Sequence, residues 1–292
     1  MKRQDYIVAN RKPQTLDEVV ARVNEISTLP HIAMKVMEVA NDADSSAIDM
    51  KNVIETDPAL SARVLRCVNS SAFGLRDKVS NLQRAISFLG LKQIRSLALT
   101  ASVAELFAKD EAIGPYTRRG LWKHLVAVGV CARLIAMRQA VADFEDAFVA
   151  GLLHDIGIVL EDQYVHDHFR CAVNDLGDGK TLVEVERNHL GFDHAKLGTK
   201  VAESWRFSER VKTAIGFHHM SVNYRGEEIV FVRCVEVANL ICTLKGHTSV
   251  GRKLVAVSRP ALNALGLGRE HLAVLAQDLD AELEKNAALF EI

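Results

Sequence analysis

Residues 148–162 read FVAGLLHDIGIVLED, and the fold turns on how that stretch is understood. An apolar run is interrupted in its middle by the adjacent pair His154–Asp155 and then by Gly157. The pattern predicts a helix running through the pair. A helix that buries Leu152, Leu153, Ile156 and Val159 carries the ring and the carboxylate toward the core with them. Buried carboxylates are rare unless they are paired, hydrogen-bonded or bound to a metal. Neighbouring side chains on a helix point about 100° apart, so both groups can still reach one ion beside it.

Outward from this stretch the apolar spacing stays helical from Leu16 almost to the end, and alternating extended runs are scarce. The fold class is therefore all-α. Asp57-Pro58 opens one helix, with Asp as N-cap and Pro in the first turn. Ser80 with Gln83 suggests a capping box ahead of Leu82, Ala85, Ile86 and Leu89, with Gly90 as the stop. A helix over Leu91 to about Ala108 follows, and then a break at KDEAIGPY, residues 109–116. Leu121 to Met137 is strongly apolar and helical. A glycine- and aspartate-bearing loop is expected over 174–180. Further helices are expected from about Asp193 to Trp205, Ser208 to His219, Ile229 to Leu244 and Arg269 to Phe290. The chain divides into a polar amino-terminal segment (1–14), an amino-terminal helical subdomain (15–110) and a second helical subdomain (116–292).

Bulk properties narrow the function classes. Of 292 residues, 49% are hydrophobic and 25% charged, with a formal net charge of -1. That balance makes no electrostatic case for nucleic acid or an anionic membrane. No uninterrupted apolar run approaches the roughly 18 residues of a membrane span, and the opening residues lack the apolar core of a signal peptide. Cys67, Cys131, Cys171, Cys234 and Cys242 are scattered, without a CxxC pair, as expected of reduced thiols in a cytoplasmic protein.

Several apolar stripes carry a polar residue. His124 shares a face with Leu121, Val128 and Cys131; His194 with Leu197, Val201 and Trp205; His218, followed by His219, with Val211 and Ala214; Asn239 with Val232, Val235 and Cys242. A single inward histidine is ordinarily a satisfied core residue, and a pair at a helix end serves the helix dipole. A set aimed at one core is harder to explain one residue at a time. Imidazole and carboxylate together are ligands for zinc, iron or manganese. His166, His168, His189, His247 and His271 lie in polar surroundings and are expected to face solvent.

The ordered set His124, His154-Asp155, His194, His218-His219 resembles the HD superfamily of helical metal-dependent phosphohydrolases, including its HD-GYP branch. The upstream half is similar to the HDOD family, the HD-related output domains of bacterial signalling proteins. The stretches that carry this are LPHIAMKVMEVAND, DPALSARVLRCVNSSAFG and LQRAISFLGLKQIRSLAL. The resemblance covers roughly residues 20–245. It implies a multi-helical HD-like bundle with an additional amino-terminal helical layer, acting as an output or scaffold module toward a signalling protein, not on nucleic acid or membrane. It implies a divalent transition metal (iron, manganese or zinc), one ion rather than two, on His124, His154, Asp155, His194, His218 and His219. Asn239 and Glu186 are read as supporting groups or vestigial ligands. The chain departs from the catalytic pattern in three places. Ile158 stands where the active branch has lysine, Asn239 aligns with a ligand aspartate, and HHMSVNYRG contains no GYP loop. A non-catalytic role is expected, with hydrolysis of a cyclic di-nucleotide or other phosphate ester as the alternative.

Overall fold

Polar caps and apolar stripes build the molecule helix by helix. The computed structural model describes residues 14–26, 31–42, 44–109, 111–177, 179–252 and 259–291. The expected polar segment 1–14 lies outside them, apart from Gln14. An amino-terminal layer comprises α1 (Leu16–Ile26), α2 (His31–Asn41), α3 (Ala47–Glu55), α4 (Pro58–Val68), α5 (Leu82–Leu89) and α6 (Leu91–Val103). Asp57 caps α4 as expected, its Oδ1 accepting from the Ala59 and Leu60 amides at 2.8 and 3.0 Å. The cap of α5 falls one residue later than the spacing suggests. Asn81 is extended there and accepts from the Arg84 amide at 2.9 Å.

The break near 109–116 is a clamp. Strand β1 (Ala112–Ile113) pairs antiparallel with β2 (Tyr116–Thr117) through a turn in which Gly114 has a φ of +55°. Tyr116 is buried, and its hydroxyl donates to Asp162 Oδ2 at 3.0 Å. Arg118 Nε donates to the same oxygen at 2.6 Å. Thr117 then caps α7 (Arg118–Arg138), the long helix around which the second half is arranged. Among the described residues α7 alone is long and apolar enough to cross a bilayer, and 72% of its apolar window is buried inside the protein. It is a core helix.

Helix α7 crosses α8 (Phe144–Leu153) and packs on α14 (Ile229–Leu244) and α16 (Arg269–Lys285). The α7–α8 crossing is a backbone contact. A Cβ on Gly151 would stand 2.8 Å from the Val128 carbonyl oxygen and 2.9 Å from Gly129 Cα. The remaining helices of this half are α9 (Ile156–Tyr164), α10 (His166–Asn174), α11 (Leu182–Leu190), α12 (His194–Ser204), α13 (Glu209–Phe217) and α15 (Arg259–Ala264).

The two halves share one hydrophobic core. Helix α1 packs on α9 and α12, and α6 on α8. Charges reinforce the α6–α8 seam, where Arg95 binds Asp146 at 2.6 Å; from α13, Arg210 binds both Asp143 and Asp146 at 2.6 Å. Lys92 also pairs with Asp143. The amino-terminal half is thus a layer of the same body.

Candidate metal centre

The decisive stretch is two helices, where the sequence pattern suggests one. Helix α8 ends at Leu153 and α9 begins at Ile156, with His154 and Asp155 in the break. The cause is local. In a continuous helix the Gly151 carbonyl would accept from the Asp155 amide. Here His154 Nδ1 donates to it at 2.7 Å, and Asp155 takes φ -104°, ψ 19°. His218 repeats the device one residue past α13, its Nδ1 donating to the Ile215 carbonyl at 2.8 Å. Each ring satisfies a carbonyl that the helix end would leave unpaired.

His194 is the first residue of α12, behind its N-cap Asp193. Its amide and its Nδ1 both donate to Glu186 Oε2, at 3.1 and 2.7 Å. His124 lies within α7, and its Nδ1 donates to the backbone carbonyl of His247 at 2.9 Å. Carbonyl and carboxylate oxygens only accept, so all four Nδ1 atoms carry the proton. In the neutral ring each Nε2 is then a lone pair.

Those lone pairs converge on Asp155. Oδ2 lies 3.5 Å from His124 Nε2 and 3.3 Å from His154 Nε2. Oδ1 lies 3.3 Å from His194 Nε2 and 3.1 Å from His218 Nε2. The His124 and His154 Nε2 atoms are 3.3 Å apart, and those of His194 and His219 are 2.8 Å apart. His124, His154, Asp155, His194 and His218 are all buried, whereas His219 is exposed. Two donor groups result, Asp155 with His194, His218 and His219, and Asp155 with His124 and His154. Within the expected set, Asp155 Oδ1 gathers His194, His218 and His219, while Oδ2 gathers His124 and His154.

The arrangement fits a cation. Donors at about 2.1 Å from one ion, at tetrahedral or octahedral angles, are roughly 3.0–3.4 Å from one another. The separations above fall near that range. Asp155 Oδ1 and His218 Nε2 are buried without a hydrogen-bond partner among the described residues. Lone pairs facing one another across such gaps need a proton or a metal between them. Imidazoles held by their far nitrogen are also the usual form of metal-ligating histidine.

Burial first, and the neighbouring imidazoles of His218 and His124, take His154 down to about 4 despite the Asp155 charge. Burial also works against a charge on His194, yet Glu186 and Asp155 outweigh it and hold this ring well above the ordinary range. For Asp155, burial favours the neutral acid, but the histidines around it prevail and hold it well below its ordinary value.

Glu186 is therefore the orienting partner of His194. Asn239 is buried on α14, where its Oδ1 accepts from the Thr243 hydroxyl at 3.2 Å. Ile158 is fully buried. Of the five histidines expected to face solvent, His271 is exposed, whereas His166, His168, His189 and His247 are half-buried; His166 Nδ1 donates to Asp162 Oδ1 at 2.8 Å, and the His247 backbone carbonyl orients His124. One residue escaped the sequence reading. Glu161 is fully buried, neither of its oxygens accepts a hydrogen bond among the described residues, and burial followed by the charge of Glu186 pushes its pKa well above the carboxylate range. It lies on α9 among Ile158, Val159 and Leu160, and an acid within so apolar a run was the available signal.

Comparison with known proteins agrees with this architecture. The family model described as HDOD domain matches residues 26–221. A crystal structure of an HDOD domain protein of unknown function from Geobacter sulfurreducens superposes with a TM-score of 0.76 at 25% identity, covering 94% of this chain and 98% of that one. A Shewanella amazonensis SB2B protein whose name proposes a phosphohydrolase gives 0.70 at 23% identity, covering 93% and 96%. A Marinobacter aquaeolei VT8 protein whose name proposes a role in signal transduction gives 0.71 at 20%, covering 98% of this chain and 63% of that one. Both of these latter likenesses are of fold. An uncharacterized Treponema pallidum (strain Nichols) protein is 24% identical over 282 residues, 91% of this chain and 51% of the relative, so the chain spans about half that relative's length. With the family model matching most of its length and the helical frame shared, the chain belongs to the HDOD family.

Proposed function

We propose that the chain is a non-catalytic bacterial signal-transduction module whose centre holds a divalent transition metal and whose helical body docks a signalling protein. One observation carries the metal reading: four buried Nε2 atoms converge on the two oxygens of Asp155 while the Nδ1 of each of those rings is already engaged. Asp155 Oδ1, His194, His218 and His219 offer four donors, the better home for one ion. His124, His154 and Oδ2 offer three, which would complete a second site only with a ligand from outside. Iron, manganese and zinc all suit this nitrogen-and-oxygen set.

The absence of turnover rests on charge. Phosphoryl transfer depends on positioning and on positive charge around the phosphate. A bound metal would supply Lewis acidity and an activated water. The position that resembles the catalytic lysine is the buried Ile158. Arg133 is committed to Glu145 at 3.5 Å and Glu282 at 3.9 Å. Losing one such stabilising contact costs about 3–4 kcal/mol of barrier lowering, two to three orders of magnitude in rate. The relatives that run beyond this chain's length suit a module that works with other segments or partners.

The test joins elemental analysis of protein purified without a metal-affinity resin to an assay of manganese- and iron-loaded protein on cyclic di-GMP and simple phosphate esters. Bound metal with no turnover is expected. Turnover above roughly 1 per second that disappears in Asp155→Ala would establish the phosphohydrolase instead.

A further inference from the structure

We infer that the exposed sides of α3 and α5, in the amino-terminal layer, form a two-fold interface with a second copy of this chain. The interface stands apart from the histidine centre and does not depend on it. Charge is segregated along this part of the sequence. Over residues 38–57 acids outnumber bases six to one, and over residues 58–104 bases outnumber acids seven to one. Four of those seven cations are spent on acids elsewhere in the chain, Lys92 on Asp143 and Arg95 on Asp146 among them. Arg76, Lys78 and Arg84 are left exposed, without an ion pair among the described residues.

The fold holds these cations in place beside apolar surface. Val79 exchanges two hydrogen bonds with the Asn69 side chain, at 2.8 and 2.9 Å, which pins Lys78 just ahead of α5. One turn apart on α5, the Arg84 guanidinium lies over the Phe88 ring, 5.5 Å from its centre. Phe88 is 56% exposed, and Ile48 on α3 is 59% exposed. Helix α3 packs directly on α5, and the exposed acids Asp44 and Glu55 stand at its two ends. One helix thus carries an open apolar residue with acids, and its neighbour an open apolar residue with cations.

That pairing of signs selects the partner. A uniformly acidic surface or a polyanion would be repelled by the acids of α3, and a uniformly basic one by the cations of α5. A second copy turned through half a rotation meets neither objection. Its α5 faces α3 and its α3 faces α5, so each sign meets its opposite twice, as a self-complementary contact requires. Aromatic and arginine side chains are also the types enriched at protein interfaces. The exposed charges set the register, while burial of Ile48 and Phe88 supplies affinity. Two short helices a side make a small contact, so the dimer is reversible.

The test is analytical sedimentation of the full chain from about 1 μM to about 1 mM. A monomer–dimer equilibrium is expected, shifted toward monomer in about 1 M salt, which screens charges within about 3 Å. Phe88→Ser, at an exposed position that folding does not need, should weaken it about tenfold. Two charge-reversed chains give the decisive comparison. One carries Arg76→Glu, Lys78→Glu and Arg84→Glu; the other carries Asp44→Lys and Glu55→Lys. Each alone should stay monomeric, because its α3–α5 surface then bears one dominant sign, and an equimolar mixture should form one-to-one dimers. A wild type that stays monomeric throughout, indifference to Phe88→Ser, a mixture that does not pair, or assemblies that grow past the dimer overturns the assignment.

Discussion

Gly157 lies directly beneath the backbone of His194. A Cβ on Gly157 would come within 2.7 Å of the His194 carbonyl carbon and 2.9 Å of its Cα, with the carbonyl oxygen nearer still. The glycine of the HDIG stretch is thus what lets α12 begin against α9 with its first ring over Asp155. Gly157→Ala should push the start of α12 away, costing about 1–3 kcal/mol as an overpacked core does, and should lower bound metal. Gly177→Ala, which meets only Asp175 O at 4.0 Å, is the control and should change neither. Elemental analysis and thermal melts of the two variants decide it; equal metal content in both would sink the idea.

Removing Asp155 should cost stability and metal together. Its carboxylate stands against four buried rings and is a counter-charge to His194. Breaking a buried charge cluster by deleting one partner costs about 3–5 kcal/mol. Chelator should lower the melting temperature of the wild type, whereas Asp155→Ala should start low and ignore chelator. Unchanged melts in both comparisons would remove any structural role for a metal.

Glu161 gives the protein a pH dependence of known sign. Its folded pKa lies well above the ordinary 4.5 because burial, then Glu186, disfavour the charged form. Between 4.5 and that raised value the folded state holds a proton that the unfolded state has released. Stability carried by this group is therefore full below pH 4.5 and is lost as pH rises through the window. Glu161→Gln keeps the shape and removes the titration. Denaturant melts of both proteins from pH 5 to 8 should show the variant gaining on the wild type with rising pH. Parallel curves would count against it.

The clamp between the halves should resist proteases. Asp162 accepts from Tyr116 and Arg118 and pairs with His166, all within 3.0 Å. Limited proteolysis around residues 109–116 should be slow in the wild type. Asp162→Ala strands the buried Arg118 guanidinium, so it should cost about 3–5 kcal/mol and speed cleavage there. Rapid cutting of the wild type into two folded fragments would contradict the shared core.

The helical frame was readable because it rests on spacing, and spacing is a property of the sequence. The inward histidines were readable for the same reason: His124, His194 and His218 sit on stripes whose other members must be buried. Features that depend on contacts between distant segments left no such trace. The His247 carbonyl that orients His124 is 123 positions away along the chain, and a backbone oxygen has no residue signature at all. The division of donors into two groups depends on where α12 and α13 land. The break at His154–Asp155 was hidden because an apolar run reads the same whether one helix or two carry it. Glu161 left only an ambiguous signal, because an acid at the end of an apolar run also reads as a helix's solvent edge until the packing of α9 buries it.

His154 and His218 each finish a helix as well as face Asp155. A residue that replaced either would have to solve two problems at once, leaving the cluster and accepting responsibility for a carbonyl three positions back. Asparagine and glycine can end helices, but neither can lend an imidazole. Relatives that abandon the ion can therefore be expected to keep these histidines as helix terminators, long after the ion that they could hold has gone. Histidines at these two positions are thus weak witnesses to metal unless His124, His194 and Asp155 stand with them, as they do here. Asp155, which caps nothing with its side chain, is the better one.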